Sequence, residues 1–153
     1  MKSQYLWAAV WGITVLCSSP CSADKASSTK VPPFRFFKMS AESGVSLVVP
    51  EKATEAEIRA LLYFIREKVK TKKFSDLGIL HPTSKNFNQL NYDHGMILVF
   101  RGEKCANEEF IDTVGPCGYG EHDAGSYQWG LLQPGPWDGA DVRLKSGDVQ
   151  KVF

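Results

Sequence analysis

The sequence predicts an α+β fold: one amphipathic helix packed on a small mixed or antiparallel sheet, followed by a loop-rich, disulfide-tied C-terminal segment. Three observations carry that expectation. A short β-branched run at residues 45–49 stops at a proline, a helix with explicit start and stop signals follows it, and beyond residue 105 the chain becomes rich in Gly and Pro around two cysteines.

The strand is "VSLVV", whose branched side chains suit a pleated, half-buried surface and which ends at Pro50. The helix is "TEAEIRALLYFIREKVKTKK", where Thr54 is followed three residues later by Glu57, the pattern of a capping box. Ile58, Leu61, Leu62, Ile65 and Val69 recur at helical spacing and form one apolar stripe, while Arg59 and Arg66 fall mostly off it. Glu55 and Glu57 lie in the first turn and Lys68, Lys70, Lys72 and Lys73 crowd the end, as the helix dipole favours. Such a helix buries one face against a sheet. "LGIL" at residues 77–80 is expected as a short second strand, and "HPTSKNFNQLNYDHG" as a loop. "MILVF" at residues 96–100 is continuously apolar, as a central strand covered on both faces should be. Further on, "SYQWGLL" and "VQKVF" read as late strands separated by a turn-rich "QPGPWDGAD".

The start of the chain is of another kind. Met1 and Lys2 give a short basic beginning, residues 6–17 carry no charge, and "SSPCSA" leads to the first acid, Asp24. This is the order of a secretory signal peptide over residues 1–23, with Cys21 and Ala23 at positions −3 and −1 and cleavage after Ala23. The apolar run falls short of the roughly 20 residues of a membrane span, so no transmembrane segment is expected after cleavage. A lipid anchor on Cys17 or Cys21 is disfavoured by bulky Leu16 and rigid Pro20 at the place of a small residue. The expected location is therefore periplasmic or secreted, for an exported protein of bacterial type. Residues 24–44 form an N-terminal tether and extended segment, in which "FRFF" is either a first strand or a strap laid on the fold. Residues 45–153 form the single α+β domain.

After cleavage, 17 basic residues face 17 acidic ones, a balance that argues against a nucleic-acid binder. The charge is unevenly spread: residues 24–104 carry 14 basic and 9 acidic side chains, and residues 105–153 carry 3 and 8. Two opposite halves of one domain should attract each other.

Cleavage leaves Cys105 and Cys117, which in an exported chain are most simply one disulfide. The bond would close a loop of 11 residues and stabilise the fold by roughly 3 kcal/mol on chain-entropy grounds. A thiol-enzyme reading would use Cys117 with His122, His81 or His94, but "GYGEHDAG" is not a helix start that could lower the thiol's pKa. A metal reading would draw on Cys105, Cys117, His122 and either Asp93 or His94, yet the spacing matches no tight zinc pattern. In an extended segment Glu121 and Asp123 would share one face and His122 the other, and no calcium-loop alternation is present. Gly115, Gly118, Gly120 and Gly125 fit no phosphate-binding pattern. Aromatic rings beside carboxylates (Tyr119, Glu121, His122, Asp123, Tyr127 and Trp129, with Trp137 nearby) are candidates for a peptide or sugar ligand, against the plainer reading that they pack on the sheet.

The leading expectation is an exported, non-catalytic binding or interaction module for a protein, peptide or glycan, held by one disulfide, with no catalytic residue, no metal and no cofactor assigned. The alternatives are a small secreted hydrolase or thiol enzyme built on Cys117 and a histidine, and a metal- or sugar-binding module around His122.

Overall fold

The computed structural model describes residues 29–40, 44–80, 92–104, 106, 123–132 and 135–153. They form strands β1 (Arg35–Ser40) and β2 (Gly44–Val49), helix α1 (Glu55–Lys70), a 3-10 turn (Phe74–Leu77), and strands β3 (Gly95–Arg101), β4 (Asp123–Leu132), β5 (Gly135–Arg143) and β6 (Val149–Lys151). The six strands make one mixed sheet in sequence order, β1-β2-β3-β4-β5-β6. Only β2 and β3 run parallel; every other neighbouring pair is antiparallel. The α+β reading stands on this architecture.

The last three residues of "FRFF" open β1, which pairs with β2 through a register shift at Phe37. The apolar run at 96–100 is the core of β3, paired on both sides as a central strand should be. Ile97 and Val99 are buried beneath α1, and Phe100 is buried on the opposite face.

Helix α1 begins as its sequence requires. Thr54 Oγ1 accepts from the Glu57 amide at 3.3 Å, and the Glu57 carboxylate accepts from the Thr54 amide at 2.8 Å. Those two amides would otherwise lack intrahelical partners. The Thr54 amide, and then the Thr54 hydroxyl donating at 2.9 Å, hold the Glu57 carboxyl below its ordinary pKa. Ile58, Leu61, Leu62, Ile65 and Val69 are all buried, against the inward side chains of the sheet. The stripe read from the sequence is thus the contact face.

Two expectations are corrected. Residues 77–80 are no strand: Phe74–Leu77 is a 3-10 turn, and Gly78 ends it in the left-handed conformation at φ +77°. The apolar residues Phe74, Leu77 and Ile79 still reach the core, by way of a turn instead of a pleat. A Cβ at Gly78 would also stand 2.9 Å from the Phe36 Cβ, so glycine is required there twice over. The second correction concerns "QPGPWDGAD", expected as turns. Residues 135–143 form β5, paired with β4 from Gly125↔Val142 to Leu132↔Gly135. Far from being loop-rich, residues 123–132 and 135–143 form the longest hairpin among the described residues.

Replacing Thr54 with Ala removes the cap while leaving the buried stripe intact, and should cost about 1 kcal/mol in a urea unfolding curve. An unchanged midpoint would show that packing alone sets where α1 starts.

Candidate functional site

Alternation along a strand sends successive side chains to opposite faces, so β4 and β5 can be read residue by residue. Tyr127 and Trp129 share the face beneath α1, with their rings stacked at 5.3 Å. They belong to a continuous series of rings. Tyr92 stacks on Phe74 at 4.7 Å, Phe74 meets the edge of Trp129 at 5.8 Å, and Tyr127 meets Phe153, which packs on Tyr63 at 5.0 Å. Two of the candidate ligand-binding rings, Tyr127 and Trp129, therefore stand in the core, where their large apolar area contributes to stability.

Asp138 faces the same side and joins the acidic C-terminal part to the basic helix. Arg66 grips its carboxylate through Nε at 3.0 Å and Nη2 at 2.7 Å, Lys70 reaches it at 2.6 Å, and the Tyr127 hydroxyl donates to it at 3.1 Å. The Arg66 bonds, with those of Lys70 and Tyr127, hold the Asp138 carboxyl far below its ordinary range despite its partial burial. Burial first, then Asp138, pushes the Tyr127 hydroxyl well above its ordinary pKa, so it stays a donor. The seam continues along the helix: Arg59 donates to the Gln150 side chain at 2.5 Å and the Tyr63 hydroxyl to the Val152 carbonyl at 3.2 Å. Arg59, Tyr63, Arg66 and Lys70 thus line one edge of α1 and bind the C-terminal strands. This is the attraction that the uneven charge distribution anticipates.

Asp123, another candidate ligand residue, opens β4 with only 2% of its surface exposed. It is ion-paired to Arg143 at the end of β5, and its Oδ1 accepts from the Gly125 amide at 3.2 Å. Burial pushes its pKa up, and the Arg143 charge pulls it back. Arg101, also buried, donates to the Ala53 carbonyl at 3.3 Å and lies against the Arg143 carbonyl, tying the β2–α1 connection to the end of β5. This cluster secures the sheet's end and offers no open carboxylate.

The other candidates, Cys105, Cys117, Tyr119, Glu121 and His122, lie outside the described residues, as does His81. His94 is half-buried just ahead of β3, with exposed Asp93 before it. Among the described residues, no group of three or more His, Cys, Asp or Glu side chains could hold a metal ion, and no helix is long and apolar enough to cross a membrane.

The face of the sheet away from α1 has two halves. Over β1–β3 it is apolar: Val48 and Phe100 are buried, Phe37 and Leu98 partly so, and Ala106 sits on them where the chain leaves β3. Beyond Val48, towards the ends of β2 and β3, lies an open groove of about 630 Å³ lined by residues that include Phe34, Pro50 and Gly102, its rim spanned by an Arg35–Glu103 ion pair. Over β4 and β5 the face changes character. Ser126, Gln128 and Asp141 are partly exposed, and Trp137 is 46% exposed. Trp137 leans along its strand over Gly139, where an added Cβ would lie 2.9–3.2 Å from three indole atoms. Sequence reading names this ring beside the candidate residues but sets it in a turn, because "PWDGAD" looks like turn chemistry. Strand alternation would have found it, since it sets Trp137 apart from Asp138.

Two outcomes check the charge clusters. For Asp138, a folded pKa below the unfolded value means stability that is present above the ordinary aspartate range and lost as pH falls through it. Asp138→Asn should therefore be less stable at neutral pH and lose less stability on acidification than the parent. Arg143→Ala strands a buried carboxylate and should cost about 3 kcal/mol near neutral pH. A raised folded pKa favours the folded state at low pH, so this deficit should shrink on acidification towards the ordinary aspartate range. A deficit independent of pH would assign it to lost packing alone.

Compared with protein families, curated proteins and solved structures, the chain shows no significant match, so its functional reading rests on the arrangement of its own residues.

Proposed function

We propose that this chain is an exported, non-catalytic binding module, matured by loss of residues 1–23 and closed by a Cys105–Cys117 disulfide. One observation carries the binding reading. The reactive-looking groups on the inner side of β4 and β5 are engaged in holding the fold, whereas the outer side of the same two strands presents a large half-exposed ring among polar side chains. Asp138 is clamped by two cations and a hydroxyl, and Asp123 is buried against Arg143. Neither is placed to take or give a proton to a substrate. An exposed indole on a strand paired to β4 from Gly135 to Val142 is instead suited to recognition, because the backbone that carries it is already ordered when a ligand arrives.

Export is supported by the order of basic start, uncharged run and small-residue site in residues 1–23, and an oxidising compartment would explain why the two remaining cysteines stand close in sequence. The protein joins no membrane in this reading. Its ligand arrives from outside the cell or from the periplasm.

Both parts are checked by intact-mass measurement on protein expressed with its own leader in a bacterial host. The expected species begins at Asp24, resists alkylation before reduction, and takes up two alkyl groups after it. Protein that retains Met1 in the cytoplasmic fraction would overturn export. Two thiols that alkylate without reduction, one of them fast at neutral pH, would overturn the disulfide and favour thiol chemistry at Cys117.

A further inference from the structure

We infer that the outer face of β4 and β5 is a saccharide-binding surface, with Trp137 as the stacking platform and Gln128, Ser126 and Asp141 as its polar partners. The inference rests on the binding-module reading and names the ligand class of that module.

The register assembles the surface. Gln128 pairs with Gly139 and Ser126 with Asp141, so both polar residues of β4 stand beside the β5 row that carries Trp137. Gly139 makes room for the indole to lean down onto the strand, leaving part of the ring to solvent. Gln128 Nε2 donates to Met96 Sδ at 2.8 Å, which fixes the amide against β3 beside the ring. The result is a broad apolar plate edged by an amide, a hydroxyl and a carboxylate. A pyranose ring presents the complement: an apolar face of C–H groups for the indole and a rim of hydroxyls that both donate and accept.

The charge beside Asp141 decides against a cationic peptide, the other ligand an indole and an aspartate suggest. Directly across from Asp141 stands Lys151 of β6, exposed and of the wrong sign for a cationic guest. A short oligosaccharide, by contrast, can lie along β5 with one ring on Trp137 and a later ring meeting Ser126, Asp141 and Lys151.

The experiment is a titration of the purified mature chain, residues 24–153, with cellohexaose, chitohexaose and mannohexaose, followed by tryptophan fluorescence and calorimetry. Oligolysine and oligoarginine serve as the competing class. A saturable response to at least one saccharide is expected, weakened tenfold or more in Trp137→Ala and partly kept in Trp137→Tyr. Gln128→Ala and Asp141→Ala should each weaken it by about threefold to tenfold, the range of one lost hydrogen bond. Gly139→Ala keeps the indole but displaces it, and should weaken binding while an unchanged circular-dichroism spectrum reports an intact fold. No saturable response to any saccharide, a response indifferent to Trp137→Ala, or saturation by the cationic peptides alone would each overturn the inference. Mass spectrometry of the saccharide after incubation separates the two levels. Intact saccharide upholds the non-catalytic reading. Cleavage that depends on Trp137 would overturn that reading while placing the saccharide on this face.

Discussion

Strands β2 and β3 run in the same direction, and two parallel neighbours cannot be joined by a hairpin. The chain must leave the end of β2, travel the length of the sheet, and return to the start of β3. Helix α1 makes that return, and the rest of the fold depends on it. It commits one face of the sheet to apolar contact, since the buried stripe from Ile58 to Val69 has to be met by the inward residues of the strands. It also settles where charge can go. The edge of the helix beside the stripe carries Arg59, Arg66 and Lys70, and these reach β5 and β6. Every other connection between paired strands is antiparallel, so a single crossover defines the inside and outside of the whole sheet.

Most of this was legible where a local signal and a global requirement coincide. The capping box, the apolar stripe and the basic end of α1 each follow from helix geometry alone, and the structure reproduces all three. The β-branched run ahead of Pro50 and the apolar run at 96–100 were equally readable, because a buried strand needs continuous apolar character. β5 was not. Its residues, with Gly135, Pro136 and Gly139, have the local chemistry of turns, and what makes them a strand is pairing with β4, which their own residue types do not announce. Residues 77–80 failed in the opposite sense. Leu77 and Ile79 are apolar and buried, but Gly78 takes a left-handed conformation that breaks a strand.

The candidate site shows the same division. Tyr127, Trp129 and Asp123 drew notice for their chemistry, an aromatic pair beside an acid, and that chemistry serves the interior: stacked rings under α1 and a buried ion pair at the end of the sheet. Type and neighbourhood in sequence could not tell a core ring from a surface ring. Face could. The residues proposed for recognition differ from the core set only in the parity of their position along β4 and β5, and parity becomes readable once the register is known.

Trp137 and Asp138 are neighbours in the chain and strangers in space. One stands on the outer face, and the other is fastened to the edge of the helix. Natural variation can therefore act on the two faces independently. Substitutions at 126, 128, 137 and 141 change the outer surface without disturbing the clamp that holds the strand, and changes at 138 register as lost folding whatever that surface does. A lineage descending from this chain is free to rewrite its outer face many times over on an unchanged scaffold, and its record of descent would be written in the inward residues.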